Sequence, residues 1–275
     1  MENTIRKNFC IFAFWNRKMT NERENINVDS LWLIDERDKS GKHANVYHGN
    51  FIPQIPNQLI RRYTKENDTI LDLFMGSGTT LYECENLNRN FIGFDINTEI
   101  IDYVKSKMTD TQNIKFKINE CDVANETLFK EKIENSLSEL DVEKAQLILA
   151  HPPYMDIVKF TEKAEDLSQI ADLTTFVKQF AQVVKNAFPY LENKKYLGVV
   201  IADVYKKSEV VPLAFYVLDA VKRNFNVKLK GIIIKNIEGN RGKLRQKNIW
   251  QYRALKSDYF IFKHEYILVF KKEER

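Results

Sequence analysis

The chain has 275 residues, of which 44% are hydrophobic and 12% are aromatic, and its formal net charge is +4. This composition is typical of a globular protein with a sizeable core and excludes an intrinsically disordered chain. The weak positive charge is compatible with a nucleic-acid partner, but whole-chain charge alone does not establish one.

The three cysteines, Cys10, Cys84 and Cys121, lie far apart and form no Cys-x-x-Cys or Cys/His pattern. This spacing argues against a disulfide framework or a structural zinc site and favours a reducing compartment. No apolar run approaches the length of a membrane span, and Phe9–Trp15 is too short for the core of a signal peptide. We therefore predict a cytoplasmic protein without a membrane segment.

Residues 1–45 are interpreted as an N-terminal arm or cap with two apolar clusters, Phe9–Trp15 and Leu31–Ile34. Whether the loop Arg37–Asn50 only packs on the core or also borders a substrate or cofactor cleft stays open. A helix is predicted to begin near Pro56, because a proline at the first helical position loses no hydrogen bond.

The stretch Ile70–Thr80, ILDLFMGSGTT, predicts a buried strand that runs into a glycine turn and then a helix. Gly76 and Gly78 lack a Cβ, so the backbone can approach a ligand closely or take a positive φ. Hydroxyl-bearing residues follow where the helix begins, and such a helix start favours an anion.

Two further strands are predicted at Phe91–Asp95 and Ile114–Ile118, the second followed by Asp122. Together with Asp72, each strand then ends near a carboxylate, and helices separate the strands. This order predicts a doubly wound, mostly parallel sheet whose ligands bind at the carboxyl ends of its strands. Asp95 is placed to accept hydrogen bonds from a ribose diol, and Asp95 or Asn97 could also cap the next helix.

The glycine pattern GSGTT differs from GxGxxG, which argues against a nicotinamide or flavin dinucleotide, and no GxxxxGK[ST] occurs. A fourth strand, Ala145–Ala150, runs into His151-Pro152-Pro153-Tyr154. The two prolines fix the backbone and leave carbonyl groups free to accept from a substrate, while Tyr154 offers an aromatic face.

Taken together, DLFMGSGTT, Asp95, Asp122 and HPPY resemble the amino-group DNA methyltransferases, which use S-adenosylmethionine to methylate adenine N6 or cytosine N4. The resemblance covers roughly residues 46–270. It implies a seven-stranded Rossmann-like class I methyltransferase fold, with residues 1–275 forming a single domain. Within that domain, residues 155–172 and 235–258 are predicted to be substrate-facing loops.

By this resemblance, Asp72 would help to hold the amino group of the cofactor, Asp95 its ribose and Asp122 its adenine. The expected cofactor-binding residues are Phe51, Pro53, Asp72, Phe74, Gly76, Ser77, Gly78, Thr79, Asp95 and Asp122.

The expected catalytic residues are His151, Pro152, Pro153 and Tyr154. The family motif usually begins with Asp, Asn or Ser, so His151 is a departure that removes the usual clue to adenine or cytosine. A neutral imidazole can still accept a hydrogen bond from the target amino group, with the Pro152 carbonyl as a second acceptor. A protonated imidazole cannot, so we expect activity to fall between about pH 8 and 5. Tyr154 is expected to stack on the flipped base.

The segment from Lys235 to Lys256 is the most basic part of the chain and is interleaved with aromatic residues. It predicts contacts with DNA phosphates, although a solvated basic loop has the same composition. Tyr259–Phe262 and Tyr266–Phe270 are predicted to lie in a terminal strand, with His264 and Glu265 either at a bulge or facing outward, and His264 is interpreted as a structural histidine. The expected DNA-binding residues are Arg241, Lys243, Arg245, Lys247, Trp250 and Arg253.

We therefore predict a methyltransferase acting on double-stranded DNA, without metal, in a restriction-modification setting. A restriction endonuclease partner and a homodimer stay open. The alternatives are an RNA amino-group methyltransferase and a catalytically degenerate protein that still binds S-adenosylmethionine or DNA.

Overall fold

The computed structural model describes residues 25–44, 49–237 and 247–274, and the side chain of Lys247 is not described. Predictions that concern Phe9–Trp15, Cys10, Arg241, Lys243 and Arg245 therefore lie outside the described residues. No helix in the described ranges is long and apolar enough to cross a membrane.

Strands and helices alternate along much of the described chain, and those predicted between residues 56 and 236 occur in the predicted order. The prediction of a loop over residues 235–258 was wrong in part, because Lys247–Lys256, which contains no glycine or proline, forms a helix. The strands are β1 (Leu31–Trp32), β2 (Thr69–Asp72), β3 (Asn90–Asp95), β4 (Phe116–Glu120), β5 (Ala145–Ala150), β6 (Leu191–Ile201), β7 (Val204–Lys206), β8 (Glu209–Val211), β9 (Val227–Asn236) and β10 (His264–Lys272). The helices of the described residues are α1 (Gln54–Tyr63), α2 (Thr79–Asn86), α3 (Thr98–Lys107), α4 (Glu126–Leu140), α5 (Leu173–Ala187), α6 (Leu213–Asn224) and α7 (Lys247–Lys256).

The main sheet has the strand order β1-β9-β10-β6-β5-β2-β3-β4. Every neighbouring pair is parallel except the two that involve β10, which is antiparallel to both β6 and β9. This confirms the mostly parallel, doubly wound sheet. Its eighth strand, β1, comes from the N-terminal arm, where the sequence indicated only an apolar cluster.

Helices cover both faces of the sheet, which is why every residue of the central strand β2 is buried. Neighbouring residues of β2 divide between two core clusters: Leu71 packs with α4, α5 and α6, and Ile70 with α1, α2 and α3. The sheet is therefore held rigidly from both sides, and only its edges and strand ends remain for ligands.

Two predictions near the C-terminus were wrong. Residues 259–262 form no strand, because Tyr259 stacks on Tyr205 at a centroid distance of 4.4 Å and Phe260 is 91% exposed. Glu265 does not face outward: it is buried in β10 opposite its register partner Lys235 in β9. Lys235 is thus unavailable to nucleic acid, although it was counted in the basic segment.

The strand directions bring the ends of β2, β3, β4 and β5 to one edge of the sheet. Because β10 is antiparallel, its first residues reach the same edge, where Tyr266 pairs with Ile201 near the end of β6. The first residues of β10 therefore lie beside the ends of strands that are far from it in sequence.

Core packing on α5 should dominate the stability of the fold. Phe180 is fully buried in the larger core cluster. We expect Phe180→Ala to lower the free energy of unfolding by about 3–5 kcal/mol, because a large cavity replaces the ring. Denaturant unfolding measures this loss, with Lys178→Ala on the exposed face of α5 as the control. Equal stability of the two variants would contradict the packing described here.

Candidate active site

A cavity opens at the carboxyl ends of β2, β3, β4 and β5. Four parts of the chain form its wall: the segment before α1, the glycine turn, the ends of β3 and β4, and the residues after β5. Its lining residues are Gly49, Asn50, Phe51, Leu73, Phe74, Met75, Gly76, Thr79, Asp95, Ile96, Cys121, Asp122, Val123, His151, Pro152, Pro153, Tyr154, Ile157, Val158, Phe160, Glu165, Asp166 and Leu167.

Most of the site residues expected from the sequence meet in this cavity. All four residues of the His151–Tyr154 turn line it, and so do Phe51, Phe74, Gly76, Thr79, Asp95 and Asp122. The remaining expected cofactor residues, Pro53, Asp72, Ser77 and Gly78, are not among its lining residues. Their direct contact with a cofactor stays a prediction.

Asp95 ties the glycine turn to the next strand. Its Oδ2 accepts from the Gly76 amide at 2.7 Å, and its Oδ1 accepts from the Asn97 amide at 2.9 Å. Asn97 caps α3, because its side chain accepts from the amides of Glu99 and Ile100. Asp95 is therefore not the cap of that helix, and its carboxylate faces the cavity.

Asp72 stabilises the start of the glycine turn from a buried position. It is 1% exposed, and its Oδ1 accepts from the Phe74 amide at 3.0 Å. Burial raises its pKa to about 6. Gly76 and Gly78 have φ values of +53° and +84°, so the turn requires the left-handed conformations that glycine adopts without strain.

The cavity is acidic, which corrects the expectation of an anion at this helix start. Asp95, Asp122, Glu165 and Asp166 line it, whereas no lysine or arginine occurs among its described lining residues. The Gly76 amide, which could have served a phosphate, is already bonded to Asp95. Such a cavity disfavours phosphate groups and favours a ligand with positive charge.

Burial shifts the ionisation of these acids toward their neutral forms. It raises the pKa of Asp95 to about 6 and raises that of Asp122 above its ordinary value. No group of three or more His, Cys, Asp or Glu side chains in the described ranges is arranged to hold a metal ion. A positively charged ligand would favour the ionised forms of these acids.

The segment after the His151–Tyr154 turn forms one side of the cavity. Lys163 holds it against the strand ends, because its Nζ donates to the Ile96 carbonyl at 2.6 Å and to Glu120 Oε1 at 2.8 Å. Asp166 organises it further by accepting from the Ser168 amide and the Thr161 hydroxyl. The sequence indicated a substrate-facing loop here but gave no signal for its individual lining residues, such as Phe160 and Glu165.

The His151 imidazole sits between two aromatic rings. Its Nε2 lies 3.0 Å from the Tyr154 hydroxyl, and the Phe51 ring packs against it edge-on at a centroid distance of 4.9 Å. Desolvation lowers the pKa of His151 to about 3. The imidazole is therefore neutral across pH 5–8, and the acid sensitivity predicted for that range does not arise from His151.

Part of the chain is similar in sequence to known proteins. Residues 6–106 match the family model described as DNA methylase. Over these residues the chain is similar to the DNA methylases. The matched residues include β2 and the glycine turn, whereas the His151–Tyr154 turn lies beyond them.

Two curated proteins are similar to parts of this chain. The chain is 35% identical over 123 residues to the type II methyltransferase M.MjaII of Methanocaldococcus jannaschii. The matched segment covers 42% of this chain and 22% of that protein. It is 28% identical over 96 residues to the type II methyltransferase M.HpaI of Haemophilus parainfluenzae, or 35% of this chain and 31% of that protein. The matched segments thus span less than a third of either relative.

Among solved structures, TrmN from Thermus thermophilus superposes with a TM-score of 0.50 at 13% identity, covering 82% of this chain and 50% of that one. This likeness supports the Rossmann-like methyltransferase fold. The family match supports S-adenosylmethionine as the cofactor. The cavity fits this ligand, since it offers carboxylates to a sulfonium, an ammonium and ribose hydroxyls, and offers no cation to a phosphate.

Binding of S-adenosylmethionine should weaken as the pH falls from 8 to 5, with a midpoint near the pKa of about 6 of Asp95. Protonation removes acceptor capacity and negative charge from the carboxyl group, and His151 stays neutral throughout. Loss of folding does not account for this change. A folded-state pKa raised above the ordinary value means that stability from Asp95 is fully present below that ordinary value and is lost as the pH rises through about 6.

Calorimetric titration across this range measures the effect. Asp95→Asn should bind more weakly by about 1.5–3 kcal/mol at pH 8 and should show a flatter pH profile. Because Asp122, Glu165 and Asp166 also face the cavity, Glu165→Gln is the matched control. An Asp95→Asn profile as steep as that of the parent protein would assign the titration to one of these other acids.

Proposed function

We propose that this chain transfers a methyl group from S-adenosylmethionine to the exocyclic amino group of adenine (N6) or cytosine (N4) in double-stranded DNA. One observation carries the proposal: the acidic residues at the strand ends, such as Asp95 and Asp122, and the His151–Tyr154 turn line the same cavity. A cofactor in that pocket would therefore lie beside the groups suited to hold an amino group. In this proposal the whole chain acts as one catalytic domain.

The cofactor roles follow from the lining residues. Asp95 would accept from the ribose hydroxyls, Asp122 from the adenine amine, and Ile96 and Val123 would supply apolar walls for the base. The methionine end would lie along Phe51, Phe74, Gly76 and Thr79, which line the wall nearest the glycine turn. When bound, S-adenosylmethionine supplies an electrophilic methyl group on a positively charged sulfur.

The residues of the turn would position the target base. Neutral His151 accepts a hydrogen bond from the amino group, and the Pro152 carbonyl accepts a second. Holding both amino hydrogens fixes the direction of the nitrogen lone pair, which is how orientation lowers the barrier for an in-line transfer. Tyr154 would stack on the base, which must leave the duplex to reach the cavity.

The DNA would lie across α7 and the neighbouring loop. Arg253 stacks its guanidinium over Trp250 at 5.6 Å, and both Arg253 and Lys256 are exposed. The Tyr205 hydroxyl on β7 donates to the Ser257 carbonyl just after α7. This contact holds α7 near the strand-end edge of the sheet, on which the cavity opens.

Further parts of the proposal extend beyond the described contacts. Arg241, Lys243, Arg245 and Lys247 would add phosphate contacts. A short recognition site, a restriction endonuclease partner, a homodimer and a cytoplasmic location complete the proposed setting. The relation to type II methyltransferases supports the restriction-modification part of it.

Methyl transfer tests the proposal. We expect label from S-adenosylmethionine to enter mixed-sequence duplex DNA, and nucleoside mass spectrometry to identify N6-methyladenine or N4-methylcytosine. Structured RNA is assayed in parallel. Label in RNA alone would make the chain an RNA methyltransferase. Cofactor binding without label in either nucleic acid would support a degenerate protein, and His151→Asp would then show whether the turn is responsible.

DNA affinity should depend on salt through α7. Each phosphate contact contributes about 0.9 to the slope of log affinity against log salt concentration. We therefore expect Arg253→Ala/Lys256→Ala to reduce that slope by about one to two in a fluorescence anisotropy titration. The control Lys130→Ala/Lys178→Ala removes the same charge from the exposed faces of α4 and α5. Equal slopes for the two double variants would place the DNA on another surface.

A further inference from the structure

A series of polar contacts links His151 to a buried ion pair. The Tyr154 hydroxyl is 3.0 Å from His151 Nε2 on one side and 3.3 Å from Glu265 Oε2 on the other. Glu265 Oε1 in turn lies 3.2 Å from Lys235 Nζ. Lys235 and Glu265 are only 5% and 7% exposed. These hydrogen-bonded side chains therefore lead from the cavity wall into the interior of the sheet.

The fold places these residues together although the sequence separates them. Glu265 and Lys235 are direct register partners in the antiparallel β9–β10 pair. The antiparallel direction of β10 brings Glu265 to the edge where β5 delivers His151 and Tyr154. Burying two charges costs desolvation free energy unless they are paired and also hydrogen bonded to other groups. The Tyr154 hydroxyl supplies such a hydrogen bond to Glu265.

The direction of each hydrogen bond follows from the donors that are present. Glu265 is a carboxylate paired with the Lys235 ammonium, so it can only accept. Tyr154 has one hydroxyl proton, and burial next to Glu265 raises the pKa of Tyr154, so the phenol stays neutral and donates that proton to Glu265. Its oxygen then accepts from His151, which requires the imidazole proton to be on Nε2.

The neutral imidazole carries one proton, so a proton on Nε2 leaves the lone pair on Nδ1. No hydrogen bond joins Nδ1 to another described residue, and His151 lines the cavity. Phe51 packs against the ring and restricts its orientation. The opposite tautomer would place an N–H donor at Nδ1, where it would repel the donor hydrogens of an amino group.

We propose that Glu265, supported by Lys235, is a positioning residue that acts through Tyr154 to hold His151 as the Nε2–H tautomer, so that Nδ1 accepts from the target amino group. This inference rests on the proposed function. It explains how a histidine can replace the Asp, Asn or Ser oxygen that usually accepts at this position in amino-group DNA methyltransferases. It assigns a role to a buried pair that the sequence did not indicate.

Two double variants separate the acceptor from the ion pair. Lys235→Met/Glu265→Leu removes both charges and the acceptor, so the Tyr154 hydroxyl is free to donate to His151 Nε2. Lys235→Met/Glu265→Gln removes the same charges but keeps a carbonyl oxygen that accepts from Tyr154. Removing both partners of a buried ion pair together avoids an unpaired buried charge, which single variants would create.

The first readout is the tautomer of His151 in the full-length protein. Long-range ¹H–¹⁵N correlation spectra of protein labelled at its four histidines report which ring nitrogen carries the proton, and His151→Gln identifies the signal. We expect the Nε2–H tautomer in the parent and in the Gln variant, and Nδ1–H in the Leu variant. The Nδ1–H tautomer in the parent, or an unchanged tautomer in the Leu variant, would overturn the proposal.

The second readout is the rate of methyl transfer. We expect the Leu variant to lose about 100-fold in kcat, comparable to the loss of one preorganised hydrogen bond, with its dissociation constant for S-adenosylmethionine unchanged. The Gln variant should recover most of that loss. Equal rates in the two variants would overturn the positioning role. A parent protein with the expected tautomer but no methyl transfer would instead refute the proposed function and leave the tautomer assignment intact.

Discussion

The hydrogen bond from the Gly76 amide to the Asp95 carboxylate is the constraint on which the site depends. It joins the turn after β2 to the end of β3 at 2.7 Å. Because parallel strands end at one edge, this contact fixes the backbone of the glycine turn relative to the acids beyond it. The same carboxylate also accepts from Asn97, which starts α3, so one side chain fixes two loops and still faces the cavity.

The charge balance of the cavity decides which ligands suit it. In phosphate-binding sites of doubly wound folds, amides at a helix start stay free for the anion. Here the Gly76 amide serves Asp95 instead, and the cavity presents carboxylates. Burial raises the pKa of Asp95 and Asp122, because desolvation disfavours their ionised forms. On binding, a sulfonium and an ammonium would offset the desolvation cost of these ionised carboxylates.

The sequence predicted those features that depend on local order. The glycine turn, the strand-end acids and the His151–Tyr154 turn follow directly after apolar strands, so their meeting at one edge could be anticipated. The pairing of Glu265 with Lys235 could not, because it depends on the register of two strands joined by a long connection. Lys235 was interpreted as a surface charge, since its position in a basic run gives no sign of burial.

Local aromatic content misled the prediction at residues 259–262, where Tyr259 packs on Tyr205 rather than in the sheet. The cavity wall after Tyr154 was also beyond sequence reasoning. Its shape depends on Lys163, which holds the segment to Ile96 and Glu120 through contacts made only in the folded chain.

A crystal structure of the protein with S-adenosylmethionine tests the central claim most directly. The account predicts the ribose hydroxyls on Asp95, the adenine beside Asp122, and the methyl-bearing sulfur facing the His151–Tyr154 turn. A cofactor bound at another surface, or bound in this cavity with its adenine against His151, would contradict it.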